Sequence, residues 1–410
     1  MSHPVGITFA EALDTVRRTG ASRPVETAHP GLREARGSVL REDILAPISL
    51  PAFVNSAMDG FALRGEDLRA DSETTLRLIG TQFAGSTLAL RVNAGQCARI
   101  TTGAPLPAGA DTVVIKENAR IEVDSITLSA GTPRGANVRH IGEDVRAGER
   151  VFESGSTLTS AGLGLLAALG FAALPTSRRP SVAVFTTGDE LRPAGSTLAP
   201  GEIFDSNRIL LQSLLAEEGI DTLSWPALPD DEIRLTTALR DACEAYDLVI
   251  TCGGVSAGEK DLLPALLAEH GRIHFWKVMM RPGMPVLFGE WDRALLLGLP
   301  GNPVSVLATF RRLAVPLLDA MQGRRDRAAS LRARLLEPVR KSHARLEFRR
   351  ARLSCSDDGV LGVRPHPAMG SHQQRGAAES NALLVLPEEC REFAAGVLVD
   401  VEPYGAILRE

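Results

Sequence analysis

At 410 residues the chain is long enough for two or three domains of about 150 residues each, and its 44% hydrophobic and 23% charged residues exclude a disordered, collagenous or coiled-coil protein. The formal net charge of -5 speaks against non-specific binding to a nucleic-acid backbone, although residues 324–352 hold 11 basic against 3 acidic residues and leave the rest at -13. Five scattered cysteines, Cys97, Cys243, Cys252, Cys355 and Cys390, form no CxxC pair; they fit neither a disulfide framework nor a structural zinc site and point to a reducing cytoplasm.

The chain opens without a basic segment followed by an apolar one, so no secretory signal is expected. The spacing of Phe9, Leu13 and Val16 predicts a helix over 9–18, with Thr8 and Glu11 as its capping box. Between 51 and 150 short apolar runs at 75–79, 112–115 and 125–128, separated by Gly and Pro, read as a small β domain. Residues 154–177 lack charge, but the apolar stretch 161–174 is too short to cross a bilayer and is expected as a buried helix, so no membrane partner is expected.

From 182 onward strands and helices alternate. The run 182–185 is followed by a helix at 207–218, capped by Ser206 and ended by Gly219, then by residues 220–225, a helix capped by Asp230 through Leu235, Leu239 and Ala242, and a strand at Leu248–Cys252. A helix at 262–269, runs at 273–279, 286–288 and 295–297, and a helix with Asn302 as N-cap and Pro303 first complete the unit. This alternation predicts a parallel sheet covered by helices, with ligands beyond the carboxyl ends of its strands. From 331 short strands return at 345–353, 383–386 and 397–401, a basic β domain.

Three segments fall at those strand ends. The first contains Gly253, Gly254, Ser256, Gly258 and Asp261, where glycines let backbone N–H groups approach an anion; taken alone it is equally a flexible turn. The second, Thr186 to Glu190, delivers carboxylates that with Asp261 suit Mg2+ beside substrate phosphates, or that merely cap and solvate. The third, Pro300 to Ser305, offers a helix N-terminus and the Ser305 hydroxyl to an oxyanion, or is a rigid turn. Upstream, Lys277 and Arg281 are candidate cations for an anionic substrate in a chain with four lysines against 41 arginines. No HExxH spacing and no GxSxG serine supports zinc hydrolase or triad chemistry.

Six ordered motifs, NSAMDGFAL (55–63), TTGAPLPAGADTVV (101–114), TTGDEL (186–191), FDSNR (204–208), ITCGGVSAGEKD (250–261) and GLPGNPVS (298–305), resemble the molybdopterin molybdenumtransferases, the molybdenum insertases that include the C-terminal domain of gephyrin. The resemblance spans essentially the whole chain. It implies a multidomain α/β plus β protein: an elongated N-terminal and dimerisation domain from 1–50 and 141–179, a small β domain at 51–140, a doubly wound α/β molybdopterin-binding domain at 180–325, and a barrel-like β domain at 326–410.

The implied subunits form a homodimer with the active site between the α/β domain of one and the small β domain of the other, which explains the distant Asp59 and Thr102. The implied substrates are adenylylated molybdopterin and molybdate, with release of AMP. Glu190 and Asp261 are then the Mg2+ ligands, with Asp59, Thr102 and Asp230 assisting. Gly253, Gly254, Ser256, Pro300 and Pro303 are implied around the substrate, and Lys277, Arg281, Ser305, Arg350 and Ser371 around the oxyanion. Transient contacts with other cofactor-biosynthesis enzymes, and no nucleic acid, complete the implied partners.

Two departures stand out. RPGMP (281–285) replaces the family's common KPGKP, substituting one cation and removing another at Met284, and Gln373, Gln374 and Arg375 follow GSH (370–372) where serines are usual. The competing readings are a molybdopterin adenylyltransferase-like enzyme and a non-catalytic scaffold of the gephyrin type.

Overall fold

The structure, a computed structural model, describes residues 3–85, 90–256, 261–327 and 330–409. Its central sheet grows from three apolar runs, Val182–Thr186, Leu248–Cys252 and Ala294–Leu299, buried at every position. Such strands are stable only where helices cover both faces. They run parallel, with Val184 beside Ile250 and Ile250 beside Leu297, and Leu223–Ser224 extends the sheet as a further parallel edge.

The expectation of a purely parallel sheet is corrected at one strand. Leu287–Trp291 runs antiparallel to both Arg272–Val278 and Ala294–Leu299, because Asp292, at φ +51°, and Arg293 are all that separate it from the next strand. Two residues make a hairpin, whereas a parallel return needs a crossover of a dozen or more.

The opening of the chain also departs from expectation. Val5–Ile7 joins this same sheet, pairing with Trp276 and Val278, and the helix Phe9–Ser22 buries Phe9, Ala12 and Val16 in the α/β core. The strand Val5–Ile7 and the helix Phe9–Ser22 therefore pack on the α/β sheet and its core. The capping box is present as predicted: the Thr8 N–H donates to Glu11 Oε2 at 2.8 Å and the Glu11 N–H to Thr8 Oγ1 at 3.2 Å.

Two helix caps shift by one residue. Asp205 rather than Ser206 accepts the Arg208 N–H at 3.1 Å to start Ser206–Glu217. Asp231 rather than Asp230 accepts the Arg234 N–H at 2.8 Å to start Glu232–Ala245. In both places the aspartate immediately before the first helical residue makes the cap.

Residues 27–56 and 138–177 are laced together by two-stranded ladders, Thr27–Ala28 with Thr176–Ser177, Ile44–Leu45 with Arg150–Phe152, and Asn55–Ser56 with Val138–Arg139. The apolar helix expected to be buried spans Ser160–Ala168 and buries only Gly162 and Leu166, while Ala161, Gly164, Ala167 and Ala168 are exposed. Between these ladders sits a six-stranded sheet ordered Thr112–Ile115, Gly60–Leu63, Gln96–Ile100, Thr74–Gln82, Ser125–Leu128, Ala119–Ile121.

At the C-terminus Leu346–Cys355, Leu361–Pro365, Leu331–Leu335, Leu398–Pro403 and Ala382–Leu386 close a five-stranded barrel, since the last pairs back to the first with Phe348 beside Val385. One short strand from the α/β unit, Met280–Arg281, is sewn onto the barrel with Arg281 beside Glu347. That pairing sets the barrel against the carboxyl edge of the sheet.

Candidate active site

Two of the predicted strand ends approach each other because their residues are small or glycine. Gly253 (φ +101°) and Gly254 (φ +67°) sit in backbone regions that a Cβ disfavours. A Cβ on Gly253 would also stand 2.6 Å from Thr187 Oγ1 and 2.9 Å from the Thr187 carbonyl. Thr187 donates its N–H to the Cys252 carbonyl at 3.0 Å, so the two loops leave the sheet side by side.

Together they line a cavity of about 490 Å3 with Glu190, Asp230, Gly253, Gly254, Ser256, Asp261, Pro300 and Gly301 among its walls. Three carboxylates and a glycine turn thus share one opening at the carboxyl edge of a largely parallel sheet, the place where such folds bind ligands. Asp230, displaced from its expected capping role, is one of them. Gly258, Glu259 and Lys260 of the same loop lie outside the described residues.

A second cavity, about 400 Å3, shares Pro285 and Pro300 with the first and lies between sheet and barrel. Its walls include Arg281, Ser305, Arg345, Glu347, Arg349, Arg350 and Ser371. Arg350 is only 3% exposed. Its guanidinium donates to the Gln373 carbonyl at 2.8 Å and to the Ala368 carbonyl. No carboxylate pairs with it among the described residues, and burial pushes its pKa down. A buried cation held only by carbonyls is poised for an anion. Ser305, 3% exposed, sits in the first turn of the helix Pro303–Thr309 and lines the same space, and the Ser371 carbonyl accepts the Val304 N–H at 3.2 Å, tying barrel loop to helix.

Comparison with known proteins is decisive at this point. The chain matches the profiles "MoeA N-terminal region (domain I and II)" over residues 7–170, "Probable molybdopterin binding domain" over 183–320 and "MoeA C-terminal region (domain IV)" over 332–404. It is 38% identical over 388 residues to the molybdopterin molybdenumtransferase of Haemophilus influenzae, covering 94% of this chain and 96% of the relative. It is likewise 38% identical over 396 residues to molybdopterin molybdenumtransferase 2 of Mycobacterium tuberculosis, covering 93% and 95%. The MoeA protein of Pyrococcus horikoshii superposes with a TM-score of 0.82 at 28% identity, over 97% of this chain and all of that one. The chain belongs to the MoeA family.

The residues singled out from the sequence divide into four groups. Glu190, Asp230, Gly253, Gly254, Ser256 and Asp261 line the first cavity, Arg281, Ser305, Arg350 and Ser371 line the second, and Pro300 lines both. Lys277 and Pro303 line neither. The Lys277 ammonium lies 4.4 Å from the Trp276 ring centroid, while Pro303 is the first residue of its helix.

Asp59 and Thr102 also line neither cavity, but they form a unit of their own. The Thr102 N–H and hydroxyl both donate to Asp59 Oδ1 at 2.8 Å, and these bonds hold the Asp59 carboxyl below the ordinary carboxylate range.

Three contributors escape sequence reasoning. Thr187 Oγ1, in the wall of the first cavity, is buried without a hydrogen-bond partner among the described residues. Asn207, inside the FDSNR motif, donates from Nδ2 to the Gly301 carbonyl at 2.6 Å and so fixes the loop between the two cavities. Arg345 brings Nη1 within 3.5 Å of Met284 Sδ, so a barrel cation reaches the position where RPGMP lacks one. The altered segment after Ser371 is structural: Gln373 Oε1 accepts the Gly370 N–H at 2.7 Å, and Gln374 Nε2 donates to Ser206 Oγ at 2.9 Å.

Proposed function

We propose that this MoeA-family enzyme transfers molybdenum from molybdate to adenylylated molybdopterin, cleaving the adenylate and releasing AMP. The observation that carries the reading is the pair of joined cavities, one lined by carboxylates and glycines and the other by arginines and the serines Ser305 and Ser371, meeting at Pro285 and Pro300. A pyrophosphate linkage fits the first and a tetrahedral dianion the second.

Backbone N–H groups of the Gly253–Gly254 turn and the Ser256 hydroxyl bind the phosphates in this reading. Arg281, Arg350, Ser305 and Ser371 hold molybdate by charge-assisted hydrogen bonds, with Arg345 adding charge beside Met284. The oxygen donors of Glu190 and Asp261 suit Mg2+, which commonly takes one or two protein carboxylates and completes its shell with water and phosphate. When bound, the ion supplies charge neutralisation at the pyrophosphate; Asp230 orients solvent or substrate hydroxyls beside it.

We further propose a homodimer in which Asp59 and Thr102 reach the first cavity of the partner. The proposal is supported by the exposed apolar helix Ser160–Ala168 and by exposed Leu45, Ile48 and Ile141 on the same laced segment. In the domain division proposed for this dimer, the elongated part comprises 23–50 and 141–179, the small β domain 51–140, the α/β unit 180–325 together with residues 3–22, and the barrel 326–409. A cytoplasmic setting, with transient contact to enzymes that supply or accept the cofactor, suits its five free cysteines.

The test is single: purified protein, adenylylated molybdopterin, Mg2+ and a molybdate titration, with AMP and molybdenum-bound cofactor measured together beside Asp261→Asn. Coupled release of both, reduced at least about a hundredfold in the variant, is the expected result. ATP-dependent adenylylation of molybdopterin without molybdenum transfer would instead assign the adenylyltransferase reaction.

A further inference from the structure

The basic run 324–352 contributes Arg345, Arg349 and Arg350 to the second cavity, but its first arginines face elsewhere. Arg324, Arg325 and Arg327 join Arg17, Arg311 and Arg312 around a separate cavity of about 780 Å3, where the opening helix, the helix Val315–Gln322 and the barrel strand Leu398–Pro403 meet. Its floor is apolar, with Leu13, Val315 and Pro316.

The carboxylates that pair with these six arginines are fewer. Arg311 and Arg312 share Glu402, with Glu217 also on Arg311, while Arg324 and Arg327 share Asp319 and Glu218. Arg17 is exposed and has no ion-pair partner among the described residues. The pairing leaves donors over: Arg312 Nε and Arg324 Nε are both buried without a hydrogen-bond partner among the described residues. Arg324 lies 3.5 Å from Asp319 and 3.9 Å from Glu218, close enough for attraction and too far to satisfy its N–H groups.

The six guanidinium groups outnumber the carboxylates that pair with them, and an incoming polyanion would neutralise the excess. The planar fork of arginine matches phosphate oxygens in pairs. The volume is several times that of one tetrahedral anion and falls within the usual range for small-molecule sites, and the cations are spread over Arg17, the pair Arg311 and Arg312, and the segment 324–327 instead of converging on one point. We propose that this cavity is a second anion site, distinct from the two cavities of the candidate active site, that takes a short polyphosphate chain, free or as the tail of a nucleoside triphosphate.

Calorimetric titration of the full chain in EDTA, with inorganic tripolyphosphate, ATP and AMP as separate ligands, tests this. Saturable binding of tripolyphosphate is expected, with AMP bound at least about tenfold more weakly, since one phosphate cannot span the arginines. Equal affinity for ATP and tripolyphosphate identifies the phosphate chain as the whole ligand, and tighter ATP identifies a nucleotide tail. Arg324→Gln is expected to weaken binding about tenfold or more. Arg17→Gln, at an exposed and unpaired side chain, is expected to weaken it about threefold without disturbing the fold. Arg281→Ala should leave it unchanged. Absence of saturable binding at millimolar ligand, or loss of binding in Arg281→Ala with retention in Arg17→Gln and Arg324→Gln, would overturn the proposal.

Discussion

Asp247 shows how much a single side chain outside the active site can carry. Its carboxylate accepts from Arg178 at 2.8 and 3.1 Å and from the Ser181 N–H and hydroxyl at 2.7 Å each, locking the entry of the first central strand to the start of the next. Burial raises its pKa, but the Arg178 and Ser181 donors outweigh burial and hold it below the ordinary range. A depressed folded pKa stabilises above the unfolded value of about 3.9 and is lost as pH falls through the folded value. Asp247→Asn is therefore expected to cost about 2–3 kcal/mol in urea melts at pH 7. That difference should stay level down to about pH 5 and shrink below about pH 4; a constant difference at pH 3.5 would rule out the ionised pair as its source. None of this was legible in the sequence, where Asp247 is one acid among fifty. The Thr8–Glu11 box was legible because both partners lie within one turn, whereas the Arg178–Asp247 contact closes a loop of 69 residues.

At the scale of elements, the carboxyl edge of the sheet depends on two loops passing closer than side chains allow. Gly253→Ala places a Cβ 2.6 Å from Thr187 Oγ1 in a backbone region near φ +101°, a strain of about 1–3 kcal/mol. Because both loops wall the first cavity, AMP release is expected to fall about tenfold or more. Gly195→Ala is equally strained at φ +91° but meets nothing within 4 Å; it should lower stability and leave turnover unchanged. Equal loss in both would mean that the close approach has no bearing on the site. Strand and helix order could be read from periodicity, and so could the glycine loop. The antiparallel strand Leu287–Trp291 could not, since an apolar run buried on both faces does not reveal its direction; only the two-residue spacing to Ala294 does. The apolar helix Ser160–Ala168 misled for a related reason. In the proposed dimer a second copy covers this helix, and such a covering reads in sequence just as a core does.

Across the whole molecule, the unit formed by Asp59 and Thr102 is the feature that a single chain leaves unexplained. The two residues are bonded to each other, their motifs match the family, and they line neither cavity of their own subunit. A two-fold dimer makes every contact twice, so a site built from both subunits occurs twice as well. Mixed dimers of an Asp59→Asn chain and an Asp261→Asn chain then hold one site with both substitutions and one with neither. Each parent homodimer is expected to be nearly inactive, and the purified mixed dimer should recover about half the AMP release of the unmodified protein. Recovery requires the interface, so adding Ala167→Arg on the exposed apolar helix should abolish it while yielding a folded monomer by ultracentrifugation. Mixed dimers that form and stay inactive would mean that Asp59 serves the site of its own subunit.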